Sequence, residues 1–188
     1  MSQSQTGPQE RQELQNLQQQ EKQRPKRPLT IGAGAVVVHE GRVLLVRNRY
    51  GVTKGRYLLP AGRVRADELP DKAAVRETFE ETNLHVEIKG LIGVRLWVMD
   101  DGEHNYFFMF LATLLSPPEE LRPDLSEIDD ARFFTREEMG ALRMDETWSG
   151  LIAVAYKAME SDATLWPNYP DLSDTSGVDT PDRWRMWM

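Results

Sequence analysis

The chain has no cysteine. Disulfides, thiolate metal sites and a cysteine nucleophile are therefore excluded, and the absence suits a reducing compartment. It also lacks any run of some 18 apolar residues, the length a membrane span requires. Its opening, MSQSQTGPQERQ, is polar and has no apolar core of the signal-peptide kind. The expectation is a cytoplasmic protein with no membrane partner. Histidine is scarce. His39 reads as a turn residue, and His85 and His104 read as strand-surface residues rather than ligands. Positive charge is in deficit: 23 Lys and Arg against 30 Asp and Glu leave a net charge of −7. That argues against broad nucleic-acid affinity. It leaves a phosphate substrate open, because a divalent ion and a few arginines can reverse the field inside a cleft. No internal repeat is evident.

What remains is an ordinary globular balance, 40% hydrophobic and 28% charged over 188 residues, enough for one domain with a core. Residues 1–28 are rich in Gln, Glu, Lys, Arg and Pro, and read as a disordered polar tail, with a fraying helix at 9–24. Its Lys22, Arg24, Lys26 and Arg27 offer an RNA-contacting or docking arm as the alternative to a solvated tail. Residues 161–188 hold Trp166, Tyr169, Trp184 and Trp187 among Pro, Asp and Ser. They read as a tail that packs back, lines the cleft or contacts a second subunit in a homodimer. The folded domain is expected over 29–160.

Its organising stretch is 62–84, GRVRADELPDKAAVRETFEETNL. Pro70 suits a first helical turn. Asp71 complements the helix dipole, and Asn83 suits a left-handed stop. At about 100° per residue, Glu77, Glu80 and Glu81 share one sector. Val75, Thr78, Phe79 and Thr82 fall opposite and are expected to face the core. Clustered carboxylates repel by a few tenths of a kcal/mol per i,i+4 pair. A hard divalent cation with oxygen ligands would offset that cost, and Mg²⁺ typically takes one or two carboxylates plus substrate phosphates.

This stretch resembles the Nudix box, in which Gly, Glu, Arg-Glu and Glu-Glu recur at fixed spacings and an apolar residue closes the motif. Gly62, Glu68, Arg76, Glu77, Glu80, Glu81 and Leu84 stand at the matching positions. Thr78 replaces a usual apolar residue, and Asn83 a usual glycine. Neither departure removes a carboxylate. The flanking pattern extends the resemblance over about residues 30–160.

Around the box, 30–38 reads as a buried strand, 39–42 as a tight turn and 43–49 as the return strand. Arg47 and Arg49 share a face, and Arg49 is a candidate for substrate phosphates because it leads into the 50–61 loop. Residues 84–98 read as strand, bend, strand, broken at Gly90 and Gly93. Asp100-Asp101-Gly102 reads as a turn and 104–115 as the strand back. Trp97 and Tyr106 flank this turn and are candidates for stacking on a base, with core packing as the alternative. Residues 116–130 form a Pro-rich acidic loop, and 131–134 a short strand. Thr135 to Glu138 form a capping box for a helix to about Arg143. Thr147 or Asp145 is the expected cap of a last helix running to about Glu160.

The resemblance implies an α/β fold, an α/β/α sandwich with a mixed sheet. It further implies hydrolysis of a phosphoanhydride bond in a nucleoside diphosphate linked to another moiety, with Mg²⁺ (or Mn²⁺) as cofactor. Glu77, Glu80, Glu81 and the Ala61 carbonyl would hold the metal. Glu80 or Glu127 would take the proton from water, Glu127 being the loop acid at the best offset, ahead of Asp129 and Asp130. Glu68 would stand behind the ligands and Arg76 would orient a box carboxylate. Tyr57 stands where the family often has Trp, and reads as packing under its loop or touching substrate. Leu59-Pro60-Ala61-Gly62 is similar to the loop of ADP-ribose pyrophosphatases. The proline those enzymes carry about sixteen residues past the box is missing, with Met99-Asp100 in its place. ADP-ribose, nucleotide sugars, dinucleoside polyphosphates and nucleoside triphosphates all stay open. An RNA 5′-end pyrophosphohydrolase and a non-catalytic nucleotide-binding regulator are the alternatives.

Overall fold

The computed structural model describes residues 29–51, 53–98 and 102–160, together with Gln12. The readings of the two tails and of residues 99–101 lie outside the described residues. Seven strands form one mixed sheet: β1 (Leu29–His39), β2 (Arg42–Asn48), β3 (Tyr57–Leu58), β4 (Ala61–Arg63), β5 (Val86–Val98), β6 (His104–Leu114) and β7 (Ile128–Phe134). Among the described residues of 29–160, three α-helices accompany them: α1 (Pro70–Thr82), α2 (Arg136–Gly140) and α3 (Ser149–Ala158).

β1 is the spine. Along one edge it runs parallel to β6 from Leu29 to Val38. Its other edge is shared: β2 takes Val38 and His39, and β4 takes Gly32 to Gly34. The two partners diverge from β1, and this divergence sets β4 and the start of the box loop apart from the rest of the sheet. Ala33, Ala35, Val36 and Val37 are wholly buried, as expected for a strand covered on both faces. On one face Ala73 and Ala74 of α1 pack with Ala33, Ala35, Leu84 and Phe110. On the other, Met139 of α2 and Ala155 and Ala158 of α3 pack with Val36, Leu45 and Phe134. Helices therefore cover both faces, as the α/β/α expectation required.

Several local expectations need correction. Residues 86–98 form one strand, not two. Gly90 and Gly93 mark register shifts against β6, so the irregularity is taken up as bulges. β7 starts at Ile128 rather than 131, because buried Ile128 pairs with Asn48. α3 follows Trp148 with no side-chain cap. Thr147 is instead buried, and its hydroxyl donates to the Tyr57 carbonyl at 2.9 Å. The capping box of Thr135 and Glu138 is present. So are Pro70 in the first turn of α1 and a left-handed Asn83 (φ 62°) at its end.

The inward face of α1 also differs from expectation. Phe79 is 41% exposed and stacks on His85, with ring centroids 4.6 Å apart. Thr78 and Thr82 face inward as expected, and Ala73, Ala74 and Glu81 join them. Small residues let the helix lie close to β1 and β4. The buried hydroxyls are satisfied within the helix: Thr78 donates to the Ala74 carbonyl at 2.7 Å, and Thr82 donates to that of Thr78. A threonine thereby occupies a position where an apolar residue was expected.

Candidate active site

Three of the box carboxylates are gathered by one cation. Arg76 donates from Nε and Nη2 to the two oxygens of Glu68, both at 2.8 Å. Its Nη1 donates to Glu77 at 2.6 Å and to Glu80 at 2.8 Å, and Nη2 also reaches the Arg63 carbonyl at 3.1 Å. A planar fork suits this bidentate hold. Glu68 also accepts from the Arg65 N–H at 3.2 Å. Arg76, with these contacts, keeps the Glu68 carboxyl below its ordinary range despite partial burial. Arg76 in turn holds its proton more tightly, chiefly because of Glu68.

The three helix carboxylates are not equivalent. Glu80 remains accessible, with its side chain 46% exposed. Glu77 is mostly enclosed, and burial raises its pKa against the opposing pull of Arg76. Glu81 is only 7% exposed and accepts from the Ala61 N–H at 3.0 Å. Burial first, then the charges of Glu77, Glu127 and Glu80, push its pKa up to about 8, with the Ala61 N–H opposing.

Gly62 has a steric reason. A Cβ there would lie 2.2–2.6 Å from the Glu77 carboxyl atoms. A side chain there would displace the Glu77 carboxyl from its place beside Arg76.

Glu127 reaches the cluster through the backbone. The last turn of a helix leaves carbonyls without partners. Here the 120–128 loop supplies them: Asp124 N–H donates to the Glu81 carbonyl at 3.1 Å and Arg122 N–H to that of Thr82 at 2.9 Å. Asn83 Nδ2 adds a bond to the Glu120 carbonyl at 3.1 Å. The loop is thus fastened to the end of α1, and Glu127 lies close enough to raise the pKa values of both Glu77 and Glu81. Desolvation, and then the nearby Glu127 carboxylate, hold the Tyr50 phenol above its ordinary pKa.

The remaining candidates divide. Arg49 is engaged with the same loop, through the Leu125 carbonyl at 2.5 Å and Asp129 at 3.8 Å. Tyr57 is buried, bonds Asp130 through its hydroxyl and packs edge-on to Phe134, so it props its loop from below. Trp97 lines a cavity of about 850 Å³ that begins at Ala61 and runs along β5 and β6. Tyr106 does not line it. Phe107 and Met109 do, and alternation along a strand turns Tyr106 to the opposite face, across from Leu96 and Ile31. The cavity wall also contains Arg56, Arg95 and Trp148, which sequence reasoning missed. Only the two-residue alternation of Arg95 and Trp97 could have pointed to it.

The donors around Glu81 are all oxygens, and burial leaves that carboxylate short of positive charge. Both features suit a hard divalent cation. Among the described residues, no three acidic side chains converge on a metal-sized point. Glu77 and Glu80 turn to Arg76 instead, and the arginine carries part of the counter-charge. No helix among the described residues is long and apolar enough to cross a membrane.

Residues 28–153 match the family model for the NUDIX domain. The chain is 32% identical over 130 residues to the phosphatase NudJ of Shigella boydii serotype 4, covering 68% of this chain and 81% of that one. Among solved structures, a NUDIX hydrolase from Nitrosomonas europaea superposes with a TM-score of 0.64 at 22% identity, over 80% of this chain and 99% of the other. The MutT NUDIX hydrolase from Burkholderia pseudomallei gives a TM-score of 0.59 at 24% identity, over 69% and 98%.

Proposed function

Since the chain belongs to the Nudix hydrolase family, we propose that it cleaves a phosphoanhydride bond in a nucleoside diphosphate linked to another group, with Mg²⁺ or Mn²⁺. The observation that carries this reading is the linked set of Arg76, Glu68, Glu77 and Glu80 beside buried Glu81. Glu77, Glu80, Glu81 and the Ala61 carbonyl are the proposed metal donors. A divalent cation bound there supplies neutralisation of the diphosphate charge and acidification of a water. Arg76 and Glu68 hold the donors in place, in the manner of outer-shell partners at other metal sites. Glu80 is the proposed proton acceptor, because its side chain is the most accessible of the three. Glu127 is the second acid within electrostatic reach. The cavity beginning at Ala61 has room for the group beyond the diphosphate.

The test is a substrate panel with Mg²⁺ and with Mn²⁺, the products separated by chromatography. It covers ADP-ribose, nucleotide sugars, dinucleoside polyphosphates, nucleoside triphosphates and a triphosphorylated RNA. Release of a nucleoside monophosphate, dependent on the cation, is expected. Glu80→Gln should keep the fold by circular dichroism and lower turnover at least 100-fold, in the range of a lost general base. A folded, cation-binding protein silent across the panel would overturn the proposal, as would a fully active Glu80→Gln.

A further inference from the structure

Arg95 is partly buried and, among the described residues, forms no ion pair. Arg76, also partly buried, contacts three carboxylates. The guanidinium of Arg95 stands 5.0 Å from the Phe107 ring, 5.4 Å from Trp148 and 5.8 Å from Trp97. Among the described residues its single hydrogen bond is from Nη2 to Asn105 Oδ1, at 2.6 Å. Its Nε is shut off from water and has no acceptor. Burial lowers the pKa of the group, with no acid to oppose it. Nε is closed to a ligand as it is to water, so a ligand's acceptors would meet the Nη1 and Nη2 end of the group.

The surroundings narrow what that acceptor is. The cavity wall carries two guanidiniums, Arg56 and Arg95, and no acidic side chain. It offers charged donors and aromatic faces, with the neutral Asn48 and Thr53 beside them. Cross-strand pairing sets Arg95 opposite Phe107, and Trp97 opposite Asn105, on the same face of β5 and β6. Trp97 is 46% exposed, so its indole is open to a flat ligand. A planar fork beside an open indole suits a stacked heterocycle with two adjacent acceptors on one edge. Guanine and hypoxanthine present O6 and N7 together. Adenine presents an amino donor beside N7, which opposes the donors of the fork.

We propose that Arg95 is a specificity-determining residue that selects a 6-oxopurine, read through O6 and N7 and stacked on Trp97. The inference rests on the reading that the substrate is a nucleotide, and it names the base. It assigns Arg95 to recognition, not to the chemical step.

The test is calorimetric titration of the intact protein in EDTA with GMP, IMP, AMP and 7-deaza-GMP, which lacks the N7 acceptor but keeps the shape of guanine. GMP and IMP should bind about tenfold or more tighter than AMP, the discrimination expected of one bidentate contact. 7-Deaza-GMP should fall toward AMP. Arg95→Lys keeps the charge and loses the fork, and should bring all four within about threefold of one another. The inference fails if AMP matches GMP, if 7-deaza-GMP matches GMP, if Arg95→Lys keeps the preference, or if none of the four binds saturably. The 7-deaza comparison decides the matter on the unaltered chain should the variant not fold. Anhydride hydrolysis without base preference would overturn this inference and leave the proposed activity standing. Selective GMP binding with no hydrolysis of any anhydride would do the reverse.

Discussion

Glu81 makes the metal-free protein sensitive to alkali, and the size of the effect follows from its burial. Its carboxyl rises from the ordinary value of 4.5 to about 8 in the folded chain. Each unit is worth about 1.4 kcal/mol, so full ionisation costs the fold about 5 kcal/mol. The sign is set by proton binding. Between pH 4.5 and 8 the folded protein keeps the proton and the unfolded chain does not, so stability falls as pH rises. The stabilising contribution is complete below pH 4.5 and is lost as pH passes 8. From pH 5 to pH 8 the loss is about 3 kcal/mol, a large part of the 5–15 kcal/mol that holds a domain together. Glu81→Gln removes the titration, while its amide oxygen can still accept from the Ala61 N–H. Urea unfolding in EDTA at pH 5 and pH 8 measures the difference. The wild type should lose about 3 kcal/mol more than the variant over this interval. Glu77, whose pKa is also raised, leaves the variant a shallower slope of the same sign. Equal slopes in the two proteins would refute the reasoning.

Gly62→Ala would set a Cβ 2.2–2.6 Å from the Glu77 carboxyl atoms and so force the carboxyl to move. The expected result is a loss of about 1–3 kcal/mol in a thermal or urea melt with a fall of roughly 100-fold in turnover, and a fully active variant would contradict the steric account. Thr147→Val should leave the Tyr57 carbonyl without its donor and cost about 1–2 kcal/mol, seen as a drop of roughly 2–6 °C in Tm. An unchanged Tm would mean that this bond does not tie the loop to the segment before α3.

The box was legible because its signal is local. Pro70, Asn83 and the spacing of the glutamates depend on one helix, and helix geometry places them without reference to the rest of the chain. The buried face of α1 was harder to read. The expected face of Val75, Thr78, Phe79 and Thr82 holds for the two threonines and in part for Val75, but Phe79 lies outside and Ala73, Ala74 and Glu81 join the buried face. Close approach to β1 and β4 selects small side chains, and hydrophobicity alone does not report that. Glu127 sits near the box through backbone bonds from its loop to the end of α1, and no side-chain pattern records those bonds. Trp97 and Tyr106 differ in face because of the register between β5 and β6, where Trp97 opposes Asn105. A shift of one residue in that connection would exchange the faces. The cavity drew on β2, β5, β6 and the segment before α3, so its arginines were invisible until those segments were brought together.

The same close packing explains both the glycine and the raised carboxyls. Small residues at 73, 74 and 78 bring α1 down on β4, and at that separation Gly62 has no space for a Cβ beside Glu77. Closeness also removes water from Glu81, which raises its pKa. A longer side chain at 74 or 78 would lift the helix, hydrate the acid and relax the demand for glycine, at the expense of holding the carboxylates beside the Ala61 backbone. Arg76 limits the resulting repulsion by binding Glu68, Glu77 and Glu80 at once, but it does not bond Glu81. The acid least able to hold its charge is therefore the one that Arg76 leaves without a direct counter-ion, and that is where a divalent cation would lower the free energy most.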